Sequence, residues 1–237
     1  MLVTALPAFT DNYIWLAQES DSRNVVVVDP GDEEPVLAYV KEHELIISAI
    51  LITHHHWDHT DGLLPLLQHV DVPVIGPMNP KIKGVNQRVK DGDTVAVPGL
   101  TTPFHVIATP GHTLDHISFY NQTALFCGDT LFAAGCGRMF EGSAEQYHRS
   151  LQRLGELAGT TKVYCAHEYT AANVKFARTV EPDNQVLRDF EQWVTEQRQH
   201  GNMTLPSTIE QERQINPFLR AQSVAEFAQR RQQKDQF

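Results

Sequence analysis

The chain of 237 residues is long enough for one large domain, or a domain plus a smaller appendage, and its 41% hydrophobic and 20% charged residues describe an ordinary globular protein. A net charge of −10 argues against a nucleic-acid backbone or an anionic membrane as main partner, and no apolar run approaches the roughly 18 residues that a membrane span needs. The first ten residues show no basic flank or long apolar core, so no signal peptide is expected, and three cysteines (Cys127, Cys136, Cys165) without ligand spacing suit a reducing cytoplasm.

Tyr13–Leu16 and Val25–Val28 carry the β-branched and aromatic residues that strands favour, and the second run ends in the turn Asp29-Pro30-Gly31-Asp32. Asp29 either only shapes that turn or, ending a central strand, orients a ligand histidine from behind; the sequence leaves both open. Glu33–His43 has helical spacing through Val36, Leu37 and Val40. Leu45–Ile52 reads as a strand buried in a covered sheet, and Thr60–Leu67 as the opening of a helix with its apolar face inward.

Between them lies Thr53-His54-His55-His56-Trp57-Asp58-His59, a polar cluster at the carboxyl end of a strand, where α/β folds commonly bind ligands. His54 and His56, two apart in extended chain, leave the same face, and His55 and Trp57 point the other way. Asp58 and His59 swing round as the helix begins. Three imidazoles and a carboxylate in this register suit a borderline divalent metal such as zinc.

Pro73–Pro77 reads as a strand, 78–93 as surface loop, and Thr94–Val97 and Phe104–Ala108 as strands. The last of these runs into Thr109-Pro110-Gly111-His112, a turn that frees the backbone to aim His112 inward. Ala124–Cys127 ends in Gly128-Asp129, and Lys162–Ala166 ends in His167. Four strands thus end in metal-type side chains. Five histidines (54, 56, 59, 112, 167) and two aspartates (58, 129) exceed one four- or five-coordinate ion and suit two ions sharing a bridge.

The His-x-His-x-Asp-His cluster with His112, Asp129 and His167 at these intervals resembles the metallo-β-lactamase fold superfamily, and within it the glyoxalase II (hydroxyacylglutathione hydrolase) family. Supporting stretches are Asp11-Asn12-Tyr13, Val28–Gly31, Gly128–Phe132, Gly135–Arg138, Ala166–Thr170, Arg213–Arg220 and Lys234–Phe237, so the resemblance spans the chain. It implies an α/β fold: an αββα metallo-β-lactamase sandwich over 1–165 and a small all-helical, substrate-binding domain over 166–237. After His167 the strand-like runs stop, which agrees with that split.

By the same resemblance one ion takes His54, His56 and His112, the other Asp58, His59 and His167, and Asp129 bridges them. Asp58 and Asp129 are then the catalytic carboxylates. The implied metals are two divalent ions, zinc first, with iron or manganese accepted by the same ligands. The implied reaction is hydrolysis of S-D-lactoylglutathione to D-lactate and glutathione, the second step of methylglyoxal detoxification, by attack of a hydroxide bridging the metals. The resemblance puts Arg138, Tyr169, Arg231 and Lys234 around the glutathione, and the expected form is a cytoplasmic monomer without nucleic-acid or membrane partners.

Three positions depart from the family pattern. Phe140 stands where some members carry tyrosine, and Asp61 and Asp115 stand where small residues or glycine are usual, adding negative charge near the cleft. His55 and His116 read as structural or as supports behind the ligands, because His55 alternates away and the ligand count is already filled. Nucleic-acid processing is disfavoured by the charge. A β-lactamase is disfavoured by Asp129 at the bridging position, and a one-iron persulfide oxidiser by the complete second ligand set.

Overall fold

Met1–Ala108 with Asp115–Asn121 forms one compact unit and Thr109–Leu114 with Gln122–Phe237 a second; the structure, a computed structural model, describes residues 1–237 throughout.

The first unit contains, in chain order, β1 (Leu2–Ala8), β2 (Asn12–Gln18), β3 (Asn24–Val28), α1 (Glu34–Glu42), β4 (Ile46–Leu51), α2 (Trp57–Thr60), α3 (Leu63–Leu66), β5 (Val74–Pro77), β6 (Gln87–Val89), β7 (Thr94–Val95), β8 (Phe104–Ala108) and β9 (Ile117–Asn121). β1 to β6 form one sheet in sequence order, antiparallel from β1 to β3 and parallel from β3 to β6. The consecutive valines of β3 are buried on both faces, which is why its sequence runs apolar without alternation. Parallel neighbours need crossovers, and α1 and the α2–α3 pair supply them for β4 and β5. Val36, Leu63 and Leu66 close these helices onto Val25, Val27, Ile50 and Ile52. β7, β8 and β9 pair antiparallel.

Two expectations need correcting here. The helix read from Thr60 onward is two single turns, because the chain breaks at Gly62. A Cβ there would lie 2.7 Å from the Pro30 carbonyl oxygen and 2.6 Å from the Asp32 carbonyl carbon, so backbone meets backbone at that point. The stretch 78–93, read as loop, contains β6, a three-residue edge strand too short and polar to show a period.

The second unit contains β10 (Ala124–Gly128), β11 (Leu131–Phe132), β12 (Gly135–Cys136), α4 (Ala144–Gly155), β13 (Lys162–Cys165), α5 (Thr170–Val180), α6 (Gln185–Gln199), β14 (Ser207–Thr208), α7 (Ile209–Ile215) and α8 (Val224–Asp235). β10 and β13 are parallel, and their crossover passes through the β11–β12 hairpin and α4, which opens on a Ser143–Gln146 capping box. The tail is helical apart from β14, whose two residues pair antiparallel with β13. Ala134, beside the hairpin, joins Val174, Ala177, Leu187, Phe190, Val194 and Ile215 in one apolar cluster. Neither unit has a helix long and apolar enough to cross a membrane.

Candidate metal centre

In the first unit β4 delivers the turn that carries His54, His56, Asp58 and His59. Thr53 is held at its start, its carbonyl accepting from the Ile117 amide at 3.0 Å. Asp29, at φ 51° after β3, settles the choice left open by the sequence, because it orients two histidines as well as shaping its turn. Its Oδ1 accepts from the Thr53 amide at 2.7 Å, and its Oδ2 from the Thr53 hydroxyl at 2.7 Å and from His59 Nδ1 at 3.1 Å. With its proton given to Asp29, the Thr53 hydroxyl accepts from His54 Nδ1 at 3.0 Å. Both imidazoles therefore carry their proton on Nδ1 and keep the Nε2 lone pair for a metal.

The His54 ring centroid lies 4.8 Å from that of His56 and 4.1 Å from that of His59. Asp58 Oδ2 accepts from Asn12 Nδ2 at 3.0 Å and stands 3.5 Å from His59 Nε2. A carboxylate oxygen facing an imidazole lone pair is repulsive until a cation sits between them, so this donor set fits a metal. Gly31 allows the approach of this turn, since a Cβ there would lie 1.9 Å from the Asp58 carbonyl oxygen.

His55 and His116 make contacts other than with the proposed metals. His55 Nδ1 pairs with Asp115 at 2.8 Å, and Asp115 also accepts from Asn79 at 2.7 Å, so its carboxylate is hydrogen-bonded locally. His116 stacks on His54 with centroids 4.7 Å apart. Asp61 caps α2 in solvent.

In the second unit Asp129 and His167 follow the carboxyl ends of β10 and β13, neighbouring parallel strands. Asp129 Oδ2 lies 3.3 Å from His112 Nε2, and Asp129 Oδ1 lies 3.3 Å from His167 Nε2. His112 donates from Nδ1 to the Arg138 carbonyl at 2.7 Å, leaving its Nε2 lone pair facing the carboxylate. Each oxygen of one carboxylate thus meets a separate histidine, a donor arrangement suited to two cations. Behind it the buried Tyr147 hydroxyl shares its one proton between the carbonyls of Asp129 and Thr130, at 3.0 and 2.9 Å. Burial pushes the Tyr147 phenol well above the ordinary range, so it stays a donor.

Of the residues expected around glutathione, Arg138 and Tyr169 are exposed and Lys234 is half-buried. Arg138 is 63% exposed, 3.8 Å from Asp235, with its guanidinium 5.7 Å from the centre of the Phe140 ring. Tyr169 stacks on His167, rings parallel within 4° and 4.6 Å apart. Lys234 lies over Phe176 and Phe237 and donates to the Ala172 carbonyl at 3.1 Å; burial holds its ammonium below the usual lysine range. Arg231 differs. It is 5% exposed, and its guanidinium donates to the Cys136 carbonyl at 3.0 Å and to Asp235 at 2.9 Å. Those contacts make it a holder of the Cys136–Arg138 segment.

Sequence reading missed Asn12, Thr53 and Tyr147, none of which is a ligand type. Asn12 stood within a quoted motif, but nothing marked its reach to Asp58, 46 residues away.

Residues 9–167 match the metallo-beta-lactamase superfamily, and residues 168–237 match the hydroxyacylglutathione hydrolase C-terminus. A hydroxyacylglutathione hydrolase of Aliivibrio salmonicida (strain LFI1238) is 47% identical over the full length of both chains. One from Idiomarina loihiensis is 51% identical over 93% of this chain and 86% of its own. Among solved structures, ETHE1 from Myxococcus xanthus is similar at a TM-score of 0.75 and 28% identity, covering 98% of this chain and 90% of that one. The BLEG-1 B3 metallo-beta-lactamase, at 22% identity and a TM-score of 0.70 over 92% of this chain and 99% of that one, shares the fold.

Proposed function

Since the chain belongs to the hydroxyacylglutathione hydrolase family of the metallo-β-lactamase superfamily, we propose that it hydrolyses S-D-lactoylglutathione to D-lactate and glutathione, the second step of methylglyoxal detoxification, at a centre of two divalent metal ions. The observation that carries this reading is Asp129, whose two oxygens each lie 3.3 Å from a different histidine Nε2. In this reading Asp129 is the bridging ligand, His54, His56 and His112 hold one ion, and Asp58, His59 and His167 hold the other. Zinc suits these nitrogen and oxygen donors, and iron and manganese compete for them.

Two such ions, once bound, supply an acidic water for attack and polarise the thioester carbonyl. The chain's own residues do the rest. Asp29 and Thr53 fix the His54 and His59 tautomers, Asn12 fixes Asp58, and the Arg138 carbonyl fixes His112. Arg138 and Lys234 meet the glutathione carboxylates, Tyr169 meets its peptide part, and Arg231 holds the Cys136–Arg138 segment in place. No general acid is required, because a thiol of pKa about 8.5 leaves as thiolate at neutral pH. The enzyme acts as a monomer in a reducing compartment, where its three buried cysteines stay free thiols.

The test is loss of thioester absorbance from S-D-lactoylglutathione, with metal content determined on the same sample. Rapid turnover with about two metals per chain is expected; two metals without turnover would reject the substrate and keep the centre. Asp129→Asn should lose both metal and activity, and near wild-type turnover with two metals in that variant would sink the bridging assignment.

A further inference from the structure

Two large aromatic side chains stand in solvent beside the ligand turn. Trp57, between His56 and Asp58 at the first position of α2, is 60% exposed, and Phe9, in the turn joining β1 and β2, is 50% exposed. Their rings meet edge to face, centroids 5.1 Å apart and planes at 64°, so each limits the motion of the other. Phe9 is held at φ 50°, in the left-handed region that Cβ sterics disfavour. The surrounding packing keeps it there. A Cβ on Gly31 would come within 2.9 Å of Phe9 Cε2 and 1.9 Å of the Asp58 carbonyl oxygen, so the ring, the Asp29–Asp32 turn and the ligand turn form one close-packed group. Backbone strain that keeps a large apolar surface in water is poor design for stability and suits a binding surface.

A glutathione thioester has a polar, anionic thiol half and an acyl half. Beside Asp58 the first unit offers aromatic surface. We infer that Trp57 and Phe9 form the acyl subsite, a wall for the apolar part of the acyl chain that favours branched and aromatic 2-hydroxyacyl groups over the single methyl of lactoyl. This inference rests on the hydrolase reading, and Trp57 and Phe9 act in it as specificity-determining residues.

The test measures kcat/KM for S-D-lactoylglutathione and S-D-mandeloylglutathione on the metal-loaded wild type, Trp57→Ala and Phe9→Gly, with metal content on every sample. Glycine at position 9 accepts the positive φ while deleting the ring. Phe9 lies outside the ligand turn, so this variant decides the matter if Trp57→Ala loses metal. The mandeloyl-to-lactoyl ratio should fall about tenfold in Trp57→Ala and in the same direction in Phe9→Gly, the scale on which apolar pockets discriminate. An unchanged ratio in both variants overturns the subsite and leaves the hydrolase reading intact.

A wild type that cleaves neither thioester overturns the hydrolase reading, and binding then decides the subsite. S-benzylglutathione has no thioester to cleave, and it should shift the tryptophan emission of the wild type and leave that of Trp57→Phe unmoved. An equal shift in both would come from Trp15 and Trp193 and would overturn the proposal.

Discussion

Asp29 takes three hydrogen bonds on two oxygens, from the Thr53 amide, the Thr53 hydroxyl and His59 Nδ1. One carboxylate thereby fixes the start of the ligand turn, the tautomer of His59 directly and that of His54 through Thr53. Asp29→Asn separates these roles from the backbone, since asparagine tolerates the same positive φ. Its amide nitrogen cannot accept, so whichever way it is turned, the Thr53 amide alone or the Thr53 hydroxyl and His59 together lose their acceptor. Removing such an outer partner of a metal histidine costs on the order of 10- to 100-fold in metal affinity. Zinc titration against a chelating indicator should show a loss of that size. Affinity equal to the wild type would mean that the ligand rings are aimed by their packing alone.

At the scale of an element, the β11–β12 hairpin is where the helical tail bears on the proposed ligand His112. Its two-residue loop places Ala134 at φ 54°, and the strained turn is clamped by α7: Glu212 Oε2 accepts from the Ala134 amide at 2.9 Å, while Asn216 Nδ2 donates to the Phe132 and Gly135 carbonyls at 3.1 and 2.8 Å. Two residues past the hairpin comes Arg138, whose carbonyl orients His112. Burial pushes the Glu212 carboxyl up from the ordinary 4.5 to about 7. The folded state therefore holds this proton where the unfolded chain has released it. The stability Glu212 contributes is present below about pH 4.5 and is lost as pH rises to about 7, on the order of 3 kcal/mol in all. Glu212→Gln keeps an acceptor for Ala134 and removes the titration. In urea unfolding its stability relative to the wild type should rise between pH 5 and pH 8, and a difference independent of pH would show that Glu212 does not titrate in that range. None of this was legible in the sequence, where Glu212 is one of two glutamates on a short polar helix. What was legible were features with a local signature: short apolar runs, each ending in a turn with a histidine or aspartate, mark β3, β4, β10 and β13 and the proposed ligand residues behind three of them. The break at Gly62, the short β6 and the grip of Asn12 on Asp58 depend on chain approaching chain from far away in sequence, and a local period carries no trace of that.

For the whole molecule, the proposed ligands divide between the two compact units, with His54, His56, Asp58 and His59 on the first and His112, Asp129 and His167 on the second. Each set places carboxylate oxygens against imidazole lone pairs, at 3.5 Å in the first unit and 3.3 Å in the second. Without cations these contacts repel, in a chain that already carries a net charge of −10, so metal binding would also be folding free energy. A ligand present at 1,000 times its Kd stabilises by about 4 kcal/mol. In a chain of this size each kcal/mol shifts Tm by roughly 2–4 °C. Stripping the metals with a chelator should therefore lower Tm by about 10 °C, and added zinc should restore it. If one centre draws on both units, His54→Ala in the first and His112→Ala in the second should each lower the melting of the whole chain, and added zinc should recover only part of the loss. A chelator effect confined to one of two resolved transitions, or a Tm that ignores the chelator while metal is shown to leave, would mean that the two ligand sets do not serve a common centre.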